Sequence, residues 1–454
     1  MEIGKTSFWW RDIGLPDRRP GLDGDVNVDV CIIGAGYTGL WAAHYLKSAQ
    51  PDLSVIVVER EFAGFGASGR NGGWLTGGFA WSHQRYAGQG EKPVRDMVAA
   101  MMGTVDEVIR VAEAAGIEAD IHRTDELMVA TNPAQEARMR AETAHRAGWG
   151  EAARMRVIEA DELAGRIRIP QARAAMVVEG VARIQPAKLV SGLARLVEGQ
   201  GVRIVEGTSV TGLAPGRVST DRGVIRAQTI LRCTEGFTAG LSGHRRDWLP
   251  LNSAQIVTEP LPEDIWQEIG WEGREILGDF ANTYCYCQRT REGRIAVGAR
   301  GIPYRFGSAI DANGAPDGET IRRLTAILRR HFPAADRVAV DHAWCGVLGV
   351  PRDWCATVGF DPETRIGHAG GYVGVGVSTS NLAGRTLCDL ALNRQTELTA
   401  LPWVNRPLRL WEREPLRWLG VRGMYALYGL ADRHEAWGGP PSPLARLGNW
   451  LTGR

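Results

Sequence analysis

The chain is poor in lysine. Only four of its 53 basic residues are lysines, Lys5, Lys47, Lys92 and Lys188, so few side chains can serve as a catalytic or anion-binding ammonium. No apolar run reaches the roughly 18 residues that a bilayer-spanning helix needs. The opening stretch, MEIGKTSFWWRDIGLPDRRP, has no apolar h-region, so no secretory signal is expected there. Charge of one sign is also missing. The 53 basic residues face 52 acidic ones, a net charge of +1, which leaves no electrostatic footprint for nucleic acid. Seven cysteines in 454 residues are too few for a disulfide scaffold, and an odd number suits a reducing cytoplasm. Internal repeats, low-complexity tracts, a P-loop and a Ser/His/Asp arrangement are absent, and the nine histidines show no ligand spacing. At 44% hydrophobic and 23% charged, the composition is that of a globular protein long enough for a large core in two or three domain-sized units.

What is present begins with an ordered motif. Val28 to Ile33 (VDVCII) is a short β-branched run, as a buried parallel strand needs. GAGYTG follows, then an apolar helical stretch, LWAAHYLKSA, and a second buried strand, SVIVVE, ending in Glu59. Gly34 allows the tight turn out of the strand, Gly36 lets the backbone approach a pyrophosphate, and Gly39 lets helix and strand pack closely. The helix N-terminus offers free N–H groups to phosphates. Glu59 would accept hydrogen bonds from a ribose, and its charge disfavours a 2′-phosphate. Strand, helix, second strand and acid at this spacing predict a dinucleotide-binding βαβ unit.

A second glycine-rich segment, GFGASGRNGGWLTGGF from Gly64, has no obvious use in a nicotinamide site. It reads as a loop whose bare backbone lies against a flat or anionic ligand. Helices are predicted over Pro93 to Ile117 with Pro93 at N1, from the Asn132 N-cap and Pro133 to about Gly148, over Pro186 to Glu198, and over Glu319 to Phe332. Short strands are expected in VRIVE, SVTGL, GRVST, GVIRA and QTILRC, and in a strand-rich region from about Asn252 to Arg300.

GAGYTG, GASGRNGG and GGYVGVGVSTSNLAG together resemble the D-amino-acid-oxidase-like FAD-dependent oxidoreductases. QIVTEPL, QRTREGRIAVGARG, GVLGVPRDWCATVGFD, LPWV and WEREPLRWLG make the chain most similar to the glycine/sarcosine oxidase group, particularly gamma-glutamylputrescine-oxidase-like amine oxidases. The resemblance spans about residues 5 to 425. It implies an α/β fold: an FAD-binding Rossmann-like domain of glutathione-reductase type, interleaved with a mixed-sheet α+β substrate domain that roofs the flavin. The implied FAD domain is about 1–90, 155–240 and 344–400, the substrate domain 91–154 and 241–343, and 401–454 a helical extension.

The same resemblance implies cofactor contacts residue by residue. Gly34, Ala35, Gly36, Tyr37, Thr38 and Gly39 would hold the pyrophosphate, with Glu59 and Arg60 at the ribose. Ala67, Ser68, Gly69, Arg70, Asn71, Gly72 and Gly73 would wrap the pyrophosphate and reach the isoalloxazine. Val210 would pair its backbone with adenine, and Thr234 would lie near by. Gly371, Gly374, Val375, Gly376, Val377 and Ser378 would sit at the flavin pyrimidine, where a helix N-terminus stabilises negative charge. No metal is implied: Cys285 and Cys287 are spaced CxC on one strand face, without a further ligand in the sequence near by.

One departure from the sarcosine-type pattern bears on substrate. Relatives that oxidise small amino acids often carry a lysine where Ser378 stands here, to bind the substrate carboxylate. A clamp would have to come from Arg289, Arg300 or Arg305. Aromatic residues are better candidates for the substrate cavity: Trp74, Tyr284, Tyr286, Tyr304, Trp344 and Tyr372. Such an enclosure suits a cationic or alkyl amine. His244 and His342 are weighed as cavity residues or as surface residues. The catalytic set expected is thus Trp74, Tyr286, Arg300, Trp344 and Tyr372. Cys345 falls near the position of covalent FAD attachment in sarcosine-oxidase-like relatives; noncovalent FAD is the expectation.

The resulting expectation is an FAD-dependent amine oxidase, oxidising a C–N bond to an imine that hydrolyses to aldehyde or keto acid, with O2 as acceptor and H2O2 released. A dehydrogenase feeding a quinone or carrier stays open, as does a non-catalytic electron-relay subunit. The C-terminal run PLRLWEREPLRWLGVRGMYALYGL is expected to pack on the FAD domain or a partner rather than on a membrane. The partners expected are a small amine and an electron acceptor.

Overall fold

A computed structural model describes residues 1–78, 83–299, 304–310, 313–436 and 438–452. Two mixed sheets organise the described residues. In the smaller, the strand Val26–Ile33 lies between Val55–Val58 and Val224–Arg232, parallel to both. Ile366–Gly370 and Arg203–Val205 extend the parallel set on either side. Both faces of this strand are covered. Val30 and Ile32 pack under helices, while Cys31 and Ile33 pack under the hairpin of Val210–Ala214 and Arg217–Thr220. That explains the continuous apolar run from Val30 to Ile33, which an exposed sheet face would have broken into alternation.

Glycine fixes the first turn. Gly34 has φ +104°, and a Cβ at Gly39 would stand 2.0 Å from the Gly34 carbonyl oxygen. Only a bare Cα lets the helix Tyr37–Ala49 sit this close to its strand. The helix Gly376–Ala391 packs beside it on the same face, where a Cβ at Gly384 would meet Trp41 at 2.6 Å.

The larger sheet runs from Glu2–Ile3 through Val340–Pro351, Trp248–Thr258, Ile295–Ala299, Cys285–Arg289, Ile276–Asp279, His122–Ala130 and Ala174–Arg183 to Trp74–Leu75, with Met155–Glu159 beside Ala174–Arg183. Its outer face carries the amphipathic helix Gly318–His331, which buries Ile321, Leu324 and Leu328 in the second core. Each such side chain contributes about 1.5–3 kcal/mol of burial free energy. Asp317 caps that helix, accepting the Thr320 N–H at 2.7 Å.

Several expectations need correction. The helix expected from Pro93 begins at Glu91, so Pro93 sits in the third position of Glu91–Ala114, where its missing N–H still costs no helical bond. GVIRA and QTILRC form one strand, Val224–Arg232. Ala174–Arg183 pairs His122–Ala130 from Arg183↔His122 to Ala174↔Ala130, and Met155–Glu159 pairs Ala174–Arg183, so these strands all lie in the larger sheet. Among the described residues no helix is long and apolar enough to cross a membrane. The helices Leu416–Ala436 and Pro443–Thr452 contact each other yet leave Leu416, Leu419, Leu430, Leu447 and Trp450 exposed.

Candidate active site

Neighbouring parallel strands of the smaller sheet open a crevice at their C-terminal ends, where open α/β sheets bind ligands. Gly34 leaves one strand there, and Cys233 to Glu235 leave the next. Both line a single cavity of about 1150 Å3 that extends to the larger sheet.

The crevice end carries the dinucleotide motif. Gly34, Gly36, Tyr37, Thr38, Glu59, Arg60 and Ser68 line it. The helix Tyr37–Ala49 has no side-chain cap at Gly36, and its first N–H, at Tyr37, donates to the Ser68 hydroxyl at 2.8 Å. Glu59 accepts the N–H groups of Ala35 at 3.0 Å and Glu61 at 2.9 Å. Burial pushes its pKa up against those two donors. Thr208, Ser209, Val210 and Thr234 also line this end. Gly39 and Ala35 stand behind the lining. So do Gly69 and Gly73, whose Cβ atoms would collide with Trp10 Nε1 at 2.2 Å and Gln288 Nε2 at 2.0 Å. These four shape the wall without facing the cavity.

Towards the larger sheet the wall is Ala67, Arg70, Asn71, Gly72 and Trp74 on one chain segment and Gly374, Val375, Gly376 and Val377 on another. A Cβ at Gly72 would stand 2.7 Å from the Tyr286 ring. Asn71 is self-braced: its Oδ1 accepts the Gly73 N–H and its Nδ2 donates to the Ser68 carbonyl. The helix Gly376–Ala391 likewise has no side-chain cap. Trp74 Nε1 donates to the Cys287 carbonyl at 3.1 Å, and its ring meets Tyr286 edge-on at 6.2 Å. Tyr372 shares a hydrogen bond of 2.9 Å with Thr38. Period-2 alternation explains Tyr286: Cys285 and Cys287 on the same strand face the second core, and Tyr286 faces the cavity.

Sequence reasoning missed four lining residues. Glu235, at φ +39°, accepts the N–H groups of Gly349 at 2.5 Å, Gly371 at 3.1 Å and Tyr372 at 3.4 Å. Burial raises its pKa to about 7 in spite of these donors. Asn252 is buried with neither amide atom partnered among the described residues, and Gln255 Oε1 is likewise unpartnered. Glu126 also lines the cavity.

Other expected residues lie elsewhere. Trp344 is fully buried outside the lining; its Nε1 donates to the Arg70 carbonyl at 2.9 Å and its ring packs on Trp9. Both faces of its strand are covered, so burial there does not mean cavity. Cys345 faces the second core. Ser378 stands behind the wall, 1% exposed, donating to the Thr76 carbonyl at 2.5 Å. Gly371 is also behind it. Tyr304 is in a separate core cluster. Arg289 stacks over Trp266 at 3.9 Å and bonds the Trp271 carbonyl. His244 pairs with Asp247 at 2.7 Å, and His342 contacts the Gly4 carbonyl at 3.0 Å. Arg305 is not in the lining, and Arg300 lies outside the described residues. Among the described residues no lysine reaches the cavity.

A cavity lined by two helix N-termini without side-chain caps, a buried carboxylate and the bare backbone of Gly72 and Gly374 suits FAD. The unpartnered amide of Asn252 and Oε1 of Gln255, whose Nε2 donates to the Arg70 carbonyl, are further groups that a polar ring edge or substrate would satisfy. This defines the class, a flavin-dependent oxidoreductase. The chain belongs to the FAD-dependent oxidoreductase (DAO) family, whose model matches residues 29–390. It is similar to gamma-glutamylputrescine oxidoreductase of Escherichia coli (strain K12), 26% identical over 431 residues, covering 91% of this chain and 94% of that protein. It is also similar to the probable oxidoreductase OrdL of Rhizobium meliloti (strain 1021), 27% identical over 418 residues, covering 88% and 92%. The solved structure of glycine oxidase from Geobacillus kaustophilus shares the fold at a TM-score of 0.72 and 17% identity, covering 84% of this chain and 99% of that one. L-proline dehydrogenase from P. horikoshii does so at 0.69 and 19%, covering 85% and 98%.

Proposed function

We propose that the protein oxidises a C–N bond of an amine or N-substituted amino acid to an imine, which water hydrolyses to an aldehyde or keto acid, with O2 as acceptor and H2O2 released. The observation that carries this reading is the wall beside Gly72, lined by Trp74, Tyr284, Tyr286 and Tyr372 and by no described lysine. Similarity to a protein named gamma-glutamylputrescine oxidoreductase supports an amine-type substrate.

Bound FAD would supply the acceptor for the hydrogen and electron pair leaving the carbon next to nitrogen. The chain would bind, orient and exclude water. Gly34, Gly36, Tyr37, Thr38 and Ser68 would hold the diphosphate, Glu59 the ribose, and Val210 the adenine. Asn71, Gly72 and Gly374 to Val377 flank the ring. The free N–H groups at the start of Gly376–Ala391 favour negative charge beside them. Trp74 and Tyr286 present ring faces to an alkylammonium, and Asn252 and Gln255 supply the amide oxygens and N–H groups that fix its direction. We assign the smaller sheet and its helices to the FAD domain and the larger sheet to the substrate domain. The seven cysteines form no disulfide, in keeping with a cytoplasmic setting.

A second acceptor is favoured by one observation. Tyr425 and Asn449, on the two C-terminal helices, reach the cavity lining, and the same helices expose Leu416, Leu419, Leu430, Leu447 and Trp450. An exposed apolar face on helices that also reach the cavity suits a quinone or carrier. Anaerobic addition of an amine should bleach the flavin. Readmitted O2 should restore the colour with one H2O2 per turnover; restoration by quinone but not by O2 would select the second acceptor.

A further inference from the structure

The same cavity is also lined by Thr76, Glu126, Met128, Arg138, Arg146 and Met176, on and beside the strands His122–Ala130 and Ala174–Arg183. Its charges do not balance. Arg146 is committed to Glu151 through two contacts, Nε to Oε1 at 3.1 Å and NH2 to Oε2 at 2.5 Å. Arg138 is held in the same way by Glu435, at 2.9 and 2.8 Å, and also donates to the Phe280 carbonyl. Each guanidinium here already faces a carboxylate of its own.

Among the described residues Glu126 makes no direct ion pair; Arg146, already bonded to Glu151, acts on it only through space. It stands beside a register shift of the strand His122–Ala130. It and Met128 face the cavity, while Leu127 and Val129 fill the second core. It is 8% exposed, and among the described residues its one hydrogen bond comes from the Thr76 hydroxyl to Oε2 at 3.0 Å. A carboxylate this buried with a single neutral donor is under-compensated. Burial raises its pKa more than the charge of Arg146 and the Thr76 hydroxyl lower it, and a cation in direct contact would draw it further down. Thr76 ties this carboxylate to the proposed flavin site, since the Thr76 carbonyl accepts the Ser378 hydroxyl. Met128 and Met176, next along the strand pair, are apolar and suit methylene groups.

We propose that Glu126 binds a second, distal ammonium of the substrate, so that the preferred amines are dications of the α,ω-diamine type. This rests on the amine reading above and narrows it. A charge-assisted bond of this kind is worth about ten- to a hundredfold in affinity.

The test uses FAD-loaded protein, titrated anaerobically with n-butylamine and n-pentylamine and with 1,4-diaminobutane and 1,5-diaminopentane. Perturbation of the flavin absorption reads binding, and bleaching reads chemistry. Each diamine should bind at least about tenfold more tightly than the monoamine of equal chain length. In Glu126→Gln that preference should fall to about twofold or less, with monoamine binding retained. Equal affinities in the wild type overturn the inference without recourse to any variant, as does an undiminished preference in Glu126→Gln. Diamine-selective binding without bleaching by any amine would support Glu126 and reject amine oxidation.

Discussion

The hydroxyl of Ser378 donates to the carbonyl oxygen of Thr76 at 2.5 Å, deep behind the cavity wall. The residue that stands where small-amino-acid oxidases often carry a lysine is therefore a buried brace between the helix Gly376–Ala391 and the segment that holds Trp74. Ser378→Ala leaves the Thr76 carbonyl without its donor and should cost about 1–3 kcal/mol of stability. Ser378→Lys should unfold or lose flavin rather than gain sarcosine activity, because the ammonium would be buried without a partner. Thermal denaturation of both variants checks this; a stable Ser378→Lys protein with new sarcosine activity would contradict it.

Glu235 gives a pH signature. Its folded-state pKa, about 7, is above the ordinary carboxyl value of 4.5. Between those values the folded state binds more protons than the unfolded one, so stability falls as pH rises through the window and levels off above it. Urea denaturation between pH 4.5 and 8 should show that this downward component is missing in Glu235→Gln. Equal slopes for the two proteins would remove Glu235 as its source.

FAD should leave the denatured chain. The Cys345 thiol faces the second core rather than the cavity, so acid or heat should release FAD, and Cys345→Ala should retain full flavin loading. Flavin that co-precipitates with wild type but not with Cys345→Ala would show a covalent bond.

Glu59 should govern affinity for FAD over FMN. It accepts two backbone N–H groups and still faces the cavity. Glu59→Ala should weaken FAD binding about ten- to a hundredfold while leaving FMN binding, which lacks the adenosine ribose, nearly unchanged. Titration of apoprotein with each flavin separates the outcomes.

The βαβ unit was legible because its constraints are local: a β-branched run, three glycines and an acid at fixed spacing. Tyr286 was legible through alternation on one strand. Trp344 lies outside the lining because its strand, second from the edge of the larger sheet, is buried on both faces, so the ring packs on Trp9. Glu126 and Glu235 escaped notice because each is a single acid whose meaning depends on partners far along the chain, Thr76 for one and Gly349 and Gly371 for the other. A weak signal did exist for both. Glu126 precedes the apolar run LMVA, and Glu235 stands three residues past the end of the strand Val224–Arg232, at the crevice where such sheets bind ligands.

Anaerobic rapid-mixing measurement of flavin reduction by glycine, sarcosine and D-alanine beside a series of longer amines tests the central claim most directly. An aromatic enclosure without a lysine clamp should be reduced faster by the longer amines, by about tenfold or more, since a small amino acid has little but its carboxylate to bind. Faster reduction by glycine or sarcosine than by every longer amine would contradict the account.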